Sequence, residues 1–469
     1  MSRPQVLIVG GGISGLSTAW WLARQGVPVE VWEADAQPGG KIQSTREAGY
    51  LTERAAGLLV NFRSEVDQMI RETGLGSERQ MRRDGLNRYL LHKDRLIAVP
   101  MRMPALLASP LWSLSAKLRL GAEFLIPKGS QPAETVSEFI RRRLGSEILD
   151  TAMDPFIAGT LASDPDKAEA RSVIPRLKAL EDRYGSLILG MLINAGLKRR
   201  RANKADTFSF SGGMSDLIQA MADTPGITLR CNTRVESLAL QKEGWRVVAW
   251  DSLEGQRQIN VPQLVLSTPA DTAASLLNPV DERLGQLLGE IEYAPVVALH
   301  MGIKNCAINH SLDGTGFLVS RQNRVALNGN LWMSRIFPQR APRGHTLLTS
   351  YLGGVRHPDQ INQSDGQLTA RVLHDLKPLL GLSGEIDYVR VDRHARGLPL
   401  YHGEYQASME RIDALLHALP GLNLTANYRH GVSVRERIFQ GRQQALKIAA
   451  KLAVGSENFA TDQPLALAR

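Results

Sequence analysis

The stretch Val6-Leu7-Ile8-Val9-Gly10-Gly11-Gly12-Ile13-Ser14-Gly15 decides the fold. Four consecutive aliphatic residues read as a strand buried on both faces, the pattern of a parallel sheet. Gly10, Gly12 and Gly15 follow in the spacing G-x-G-x-x-G. In that spacing the first glycine makes the tight turn, the second lets backbone approach a pyrophosphate, and the third lets helix and strand pack closely. The helix that opens here, with Ser14 in its first turn, aims its free N–H groups at phosphates.

A glycine loop alone also fits a merely structural turn, so the residues after it carry the argument. The helix ends near Gly26, and a second strand, Val29-Glu30-Val31-Trp32, leads into Glu33. A carboxylate at that point is placed to accept hydrogen bonds from both ribose hydroxyls, and it disfavours a 2′-phosphate. Pro38-Gly39-Gly40-Lys41 then adds a second glycine pair and a cation. That addition is typical of flavoproteins in which FAD runs extended past a second loop. Gly40 and Lys41 therefore join the expected cofactor site.

At 469 residues the chain exceeds one ordinary core and predicts two or three lobes. Its 43% hydrophobic and 22% charged content is that of a globular protein. Cys231 and Cys306 offer neither a metal-ligand spacing nor a disulfide framework, which suits a reducing cytoplasm. The run before the glycines is too short for the apolar core of a signal peptide, and no uncharged stretch reaches membrane-spanning length.

The net charge of +9 is unevenly spread. Cations outnumber acids two to one between Arg71 and Arg143, and Lys198-Arg199-Arg200-Arg201 with Lys204 follows the apolar run Leu187 to Ile193. Apolar segments bordered by cations suit an anionic membrane surface, and a solvated basic face beside a buried helix suits the same pattern. Neither cluster is interleaved with aromatics, so nucleic acid is not an expected partner. Acidic small-molecule substrates remain open.

The chain divides by character. Residues 1–75 read as the first part of a cofactor domain, and 76–205 as a mainly helical inserted lobe punctuated by Met101-Arg102-Met103-Pro104 and Ile126-Pro127. Residues 206–289 return to the cofactor domain, with a buried strand at Gln263 to Leu266. Residues 290–395 read as a strand-rich second lobe. Residues 396–455 close the cofactor domain with Gly431-Val432-Ser433-Val434 and an amphipathic helix from Arg435 to about Leu452, whose N-terminus can face a flavin or its phosphates. Residues 456–469 read as a frayed tail.

Taken together, Gly10-Gly11-Gly12-Ile13-Ser14-Gly15, Glu33, Gly39-Gly40-Lys41-Ile42, the Val265-to-Ala270 turn and Gly431-Val432-Ser433 resemble the flavin-containing amine oxidase superfamily. Longer stretches are similar to its protoporphyrinogen and coproporphyrinogen oxidases: Asn87-Arg88-Tyr89-Leu90, Asp154-Pro155-Phe156-Ile157-Ala158-Gly159, Ala162 to Lys167, Thr207 to Gly213, and Phe337 to Pro342. The resemblance implies an α/β fold, a Rossmann-like FAD-binding domain with a mixed α+β substrate domain and an inserted helical lobe. It implies non-covalent FAD, contacted also by Ala56, Val235, Gly431, Val432 and Ser433, and Arg88 as the arginine that holds a substrate carboxylate. It implies a porphyrinogen-like substrate in haem biosynthesis, and leaves open a cytoplasmic protein seated peripherally on the inner face of the cell membrane, and a homodimer.

The chain departs from the family pattern at several points. Glu53 is followed by Arg54-Ala55-Ala56 where a Gly-Pro pair is usual, and His394 stands in the usual place of Trp. Leu400 interrupts Pro-Gln-Tyr, Gly403-Glu404 replaces Gly-His, and Ala426-Asn427 replaces Gly-Asn. His394, Tyr401 and Glu404 each have a structural reading beside a chemical one, and no catalytic residue is assigned. Two alternatives to porphyrinogen oxidation stay open: another oxidase or dehydrogenase of the superfamily, and a flavin-binding homologue without oxidase activity.

Overall fold

The computed structural model describes residues 4–100, 109–129, 131, 133–198 and 206–461. Val6–Val9 is the middle of a five-stranded parallel sheet, between Val29–Trp32 and Gln263–Leu266, with Ile227–Arg230 and Leu422–Leu424 outside them. The sheet thus gathers three widely separated parts of the chain, and every residue of the central strand is buried. The first helix, Ile13–Ala23, lies on it and is in turn covered by the closing helix, Val434–Thr461. A side chain at Gly441 would stand 2.6 Å from the Ser17 hydroxyl, so only glycine permits this approach of the two helices. Trp20 and Trp21 point to different faces of the first helix, yet both are buried, edge to face at 4.6 Å, because the helix is enclosed on both sides. The closing helix runs past Leu452 to Thr461, so the first residues read as a frayed tail continue it, and 462–469 lie outside the described residues.

The second lobe is built on a seven-stranded sheet in the order Tyr388–Pro399, Tyr293–Lys304, His345–Gly353, Gly329–Leu331, Gly314–Val319, Asn87–His92, Arg95–Ala98. Here the expectation of a mainly helical segment from residue 76 needs correction. Arg79–Met81 pairs with Asp206–Phe210, Asn87–His92 pairs in parallel with Gly314–Val319, and Arg95–Ala98 pairs antiparallel with Asn87–His92 at the edge of the seven-stranded sheet. The helical part follows, with Leu114–Gly121, Val136–Arg143, Asp154–Leu161, Pro175–Tyr184 and Leu187–Lys198. Met101 to Pro104 and the basic run Arg199 to Lys204 lie outside the described residues.

The two faces of the large sheet have different neighbours. Val297, Leu299, Met301 and Ile303 form one core with Leu368, Val372, Leu376 and Leu380 of the helix Asp365–Leu380. On the other face Tyr50 of the cofactor domain packs so tightly on Gly302 that a Cβ there would meet its ring at 2.3 Å. Leu90 and Leu318 meet the helical lobe on that same face.

One polar knot joins the domains. Glu53, buried at the end of the strand Tyr50–Glu53, accepts from Arg340 at 2.5 Å, from the Ser44 hydroxyl at 2.6 Å and from the Met214 N–H at 2.9 Å. Arg340 also donates to the Ser209 hydroxyl at 2.5 Å. Replacing Arg340 with Ala leaves a carboxylate buried without its partner, and the expected cost is about 3–5 kcal/mol. Urea denaturation should record that loss, and the paired change Glu53→Gln with Arg340→Met should recover much of it, because no charge is then stranded.

Candidate functional site

The glycine loop is shaped by close approach. Gly10 has φ +103°, and a Cβ on Gly15 would lie 2.1 Å from the Gly10 carbonyl oxygen, so any larger residue would push the helix off the strand. Gly12 caps the first helix with no side chain bonded across its end, which leaves the first-turn N–H groups facing outward from the loop. The second glycine pair docks on the first: Gly39 N–H donates to the Gly11 carbonyl at 2.8 Å and Gly12 bridges to Gly39. Gly10, Gly12, Ser14, Gly15 and Gly40 therefore form one continuous backbone platform.

Glu33 stands beside that platform, 8% exposed. One carboxylate oxygen accepts the Gly11 N–H at 2.6 Å and the other the Asp35 N–H at 2.9 Å. Both oxygens are fixed in place, and each keeps a lone pair for a sugar hydroxyl. The Glu33 carbonyl accepts the Thr233 N–H at 2.8 Å, which brings Val235 to this end of the sheet, half-buried on the cluster that contains Trp32. Ala56 and Ile13 pack together on the cluster that contains Leu16 and Val434. The ammonium of Lys41 donates to the Gly397 carbonyl at 2.6 Å and lies 5.4 Å from the Tyr293 ring centre, tying the second loop to the strand Tyr388–Pro399. Burial and the Arg396 cation lower its pKa to about 8.

Three hydroxyls around this cradle are buried without partners: Ser267, Thr268 and Ser433. Ser267 follows the strand Gln263–Leu266, with its oxygen 3.1 Å from the Cβ position of Gly15. Ser433 immediately precedes the closing helix, after Gly431 at φ +101° and the half-buried Val432. An unpaired buried hydroxyl costs about 1–3 kcal/mol. Orphaned hydroxyls, open helix N–H groups and the fixed Glu33 carboxylate suit a phosphate-bearing dinucleotide and fit FAD. Ser267 and Thr268 escaped the sequence reading, although the turn that carries them was recognised.

In the second lobe, Arg88 lies two residues from Leu90 on one strand, and alternation puts both on the face toward the helical lobe. Arg88 is exposed and makes no side-chain hydrogen bond or ion pair among the described residues. His394 is half-buried, and its Nε2 donates to the Arg54 carbonyl at 2.8 Å. Burial is the main cause that lowers its pKa, so the ring is neutral near pH 7. Tyr401 is a packing residue whose hydroxyl donates to the Asn427 carbonyl at 2.9 Å, and Leu400 packs with Ala162 and Ala294. Glu404 is exposed, 3.5 Å from Arg411, at the start of the helix Tyr405–His417.

The face also carries a polar row that the sequence reading missed. His300 Nδ1 bonds the Thr349 hydroxyl at 2.9 Å, and its Nε2 lies 3.5 Å from Asp392. Burial opposes ionisation of Asp392, but bonds from His300 and Arg390 prevail and hold its pKa at about 2. The residues of this row are far apart in sequence, so spacing gave no signal for them.

This fold and cradle define a flavoprotein, and the chain belongs to the flavin containing amine oxidoreductase family, whose model matches residues 13–448. It is an FAD-dependent oxidoreductase. It is similar to mitochondrial protoporphyrinogen oxidase of Nicotiana tabacum, 30% identical over 94% of each chain. It is also similar to coproporphyrinogen III oxidase of Bacillus subtilis, 26% identical over 94% of this chain and 97% of that one. A crystal structure from Exiguobacterium sp. 255-15, named for protoporphyrinogen oxidase, shares the fold at a TM-score of 0.80, with 22% identity over 96% of this chain and all of the other.

Glu33→Ala should weaken FAD binding by about 1–3 kcal/mol, through lost charge-assisted bonds. Flavin absorbance of the purified protein and titration of the stripped protein with FAD measure the effect. Unchanged affinity would remove Glu33 from the cradle.

Proposed function

We propose that the protein oxidises a porphyrinogen, protoporphyrinogen IX or coproporphyrinogen III, to the porphyrin in haem biosynthesis. The observation that carries this reading is Arg88, an unpaired guanidinium on the sheet face shared by the helical lobe. Its planar fork suits a propionate, which it can grip through two parallel hydrogen bonds. The names of the relatives support the same substrate class. Bound FAD supplies the hydride acceptor. What remains for the chain is to orient a flat apolar macrocycle by its acidic edge and to shield it from water. Neutral His394, held by the Arg54 carbonyl, adds no charge to that surface.

Anaerobic mixing of the flavin-loaded protein with each porphyrinogen should bleach the flavin and produce porphyrin fluorescence. Arg88→Ala should lower kcat/KM roughly ten- to a hundredfold, with flavin content and Tm near wild type, because the contact is made to substrate and not to the fold. Arg88→Lys should restore part of the loss. If neither porphyrinogen reduces a fully loaded flavin, the substrate reading falls. If Arg88→Ala turns over like wild type at subsaturating substrate, the assignment of Arg88 falls alone.

Peripheral seating on an anionic membrane has its own support. Leu114, Leu118, Phe124, Leu125, Leu189 and Leu192 are all exposed on the helical lobe, between 45% and 72%. Among the described residues no helix is long and apolar enough to cross a membrane. The protein should sediment with phosphatidylglycerol vesicles and be partly released as salt rises. Failure to bind at low salt, with doubling of mass in analytical ultracentrifugation, would assign the patch to a homodimer instead.

A further inference from the structure

The far face of the substrate sheet carries a second concavity. It has a volume of about 870 Å³ and opens between the turn 319–327 and the helix Asp365–Leu380. Small-molecule sites commonly occupy about 300–1,000 Å³. The helix on its rim covers the face opposite the one engaged by Tyr50, Leu90 and Leu318, so the whole thickness of the sheet separates this cleft from the glycine loops.

Its lining is strongly cationic. Arg321, Arg324, Arg356, Arg371 and His357 face it, and Asp375 is the one acid among the lining residues. That acid is already engaged: Asp375 is 6% exposed and accepts the Ala326 N–H at 2.7 Å. Arg356 and Arg321 are engaged too, on the fully buried Asp154 at 2.6 and 3.1 Å. Arg324 and Arg371 are exposed and make no side-chain hydrogen bond or ion pair among the described residues. Burial first, then the charges of Arg356 and Arg371, push the His357 pKa down, so His357 adds no charge to the cleft near pH 7. The uncompensated charge of Arg324 and Arg371 selects an anion, and two separated guanidinium groups select one with more than one anionic centre.

We propose that this cleft binds a small polyanion, a molecule carrying two or more phosphate or carboxylate groups, through Arg324 and Arg371. The site is independent of the flavin chemistry on the opposite face. Arg321 and Arg356 line it but also hold Asp154, the first residue of the lobe helix Asp154–Leu161, so they are left intact in the test.

Isothermal titration of the FAD-saturated protein at low ionic strength, with inorganic pyrophosphate and separately with citrate, reads the site directly. Saturable one-to-one binding of either is expected, weakening as salt rises. Tighter pyrophosphate binding marks a phosphate ligand, and tighter citrate binding a carboxylate ligand. The double change Arg324→Ser with Arg371→Ser should weaken binding at least tenfold, while Tm without ligand and flavin content stay at wild type. The pair Arg324→Lys with Arg371→Lys should keep part of the affinity, which separates charge recognition from a general folding defect. No saturable binding of either probe overturns the proposal. So does unchanged affinity in the Ser variant, which would place the anion on another basic face.

Discussion

The buried bond between Glu53 and Arg340 is the constraint that fixes one domain against the other. Glu53 closes a strand of the cofactor domain, while Arg340 comes from a turn after the substrate-sheet residue Leu331 and its short helix Met333–Ile336. Ser44, Ser209 and the start of the helix Ser215–Ala222 are drawn to the same point. Burial raises the Glu53 pKa while Arg340 opposes that shift, so the pair is costly to desolvate and is worth having only where its geometry specifies an arrangement. It does so here. It holds the seven-stranded sheet at one distance from the domain that carries the glycine cradle. Apolar packing alone would tolerate sliding, but a four-partner polar knot has one satisfying geometry. Tyr351, on the substrate sheet, feels the same charge: burial and the Glu53 carboxylate push its pKa up to about 12.

How much of this was legible in the sequence depends on how local the signal is. The first strand, the glycines, Glu33 and the second glycine pair lie within 41 residues and obey short-range rules, so they could be placed from spacing alone. Asn87–His92 could not. Arg95–Ala98 pairs with it as a hairpin, but the strand that joins it to the large sheet is more than 200 residues away, its own pattern mixes exposed and buried positions, and it sits just before a helical stretch that dominates the local composition. Ser267, Thr268 and the His300–Asp392 row belong to the same class, being brought together only by strand order. Arg88 is singled out by the resemblance to family members and not by any periodicity.

Charge counts misled in a different way. Between Arg71 and Arg143 the excess of cations suggests a basic surface, yet Arg143 is fully buried and pairs with Glu123 and Glu181, and Arg142 and Lys178 join them through Glu134. Burial opposes the charge of Glu181, but bonds from Arg142, Lys178 and Arg143 hold its pKa at about 2. Part of the apparent surface charge is therefore an internal network. Glu123 also takes the N–H groups of Leu187 and Ile188 and the Ser186 hydroxyl, capping the N-terminus of the apolar helix Leu187–Lys198. A buried anion at that helix end is favoured by the helix dipole, so the network holds rigidly a helix whose outer face is apolar.

The Asp154-Pro155 signature shows how a sequence marker of a family can be architectural. Asp154 is fully buried, accepts from Arg356 and from the Arg321 N–H, and opens a helix whose second residue is the proline that suits a first turn. Five residues on, a Cβ at Gly159 would stand 2.4 Å from the Leu318 side chain, so the helix lies directly on the substrate sheet. The signature thus clamps lobe to sheet at one end, as Glu53 and Arg340 clamp cofactor domain to sheet at the other. Arg321 from the turn 319–327 and Arg356 from the loop after the strand His345–Gly353 both line the basic cleft and reach Asp154, so the cleft borders the anchoring of the lobe. Asp154 takes up the charge of the two arginines nearest the lobe, which leaves Arg324 and Arg371 as the arginines of the cleft without a side-chain partner among the described residues.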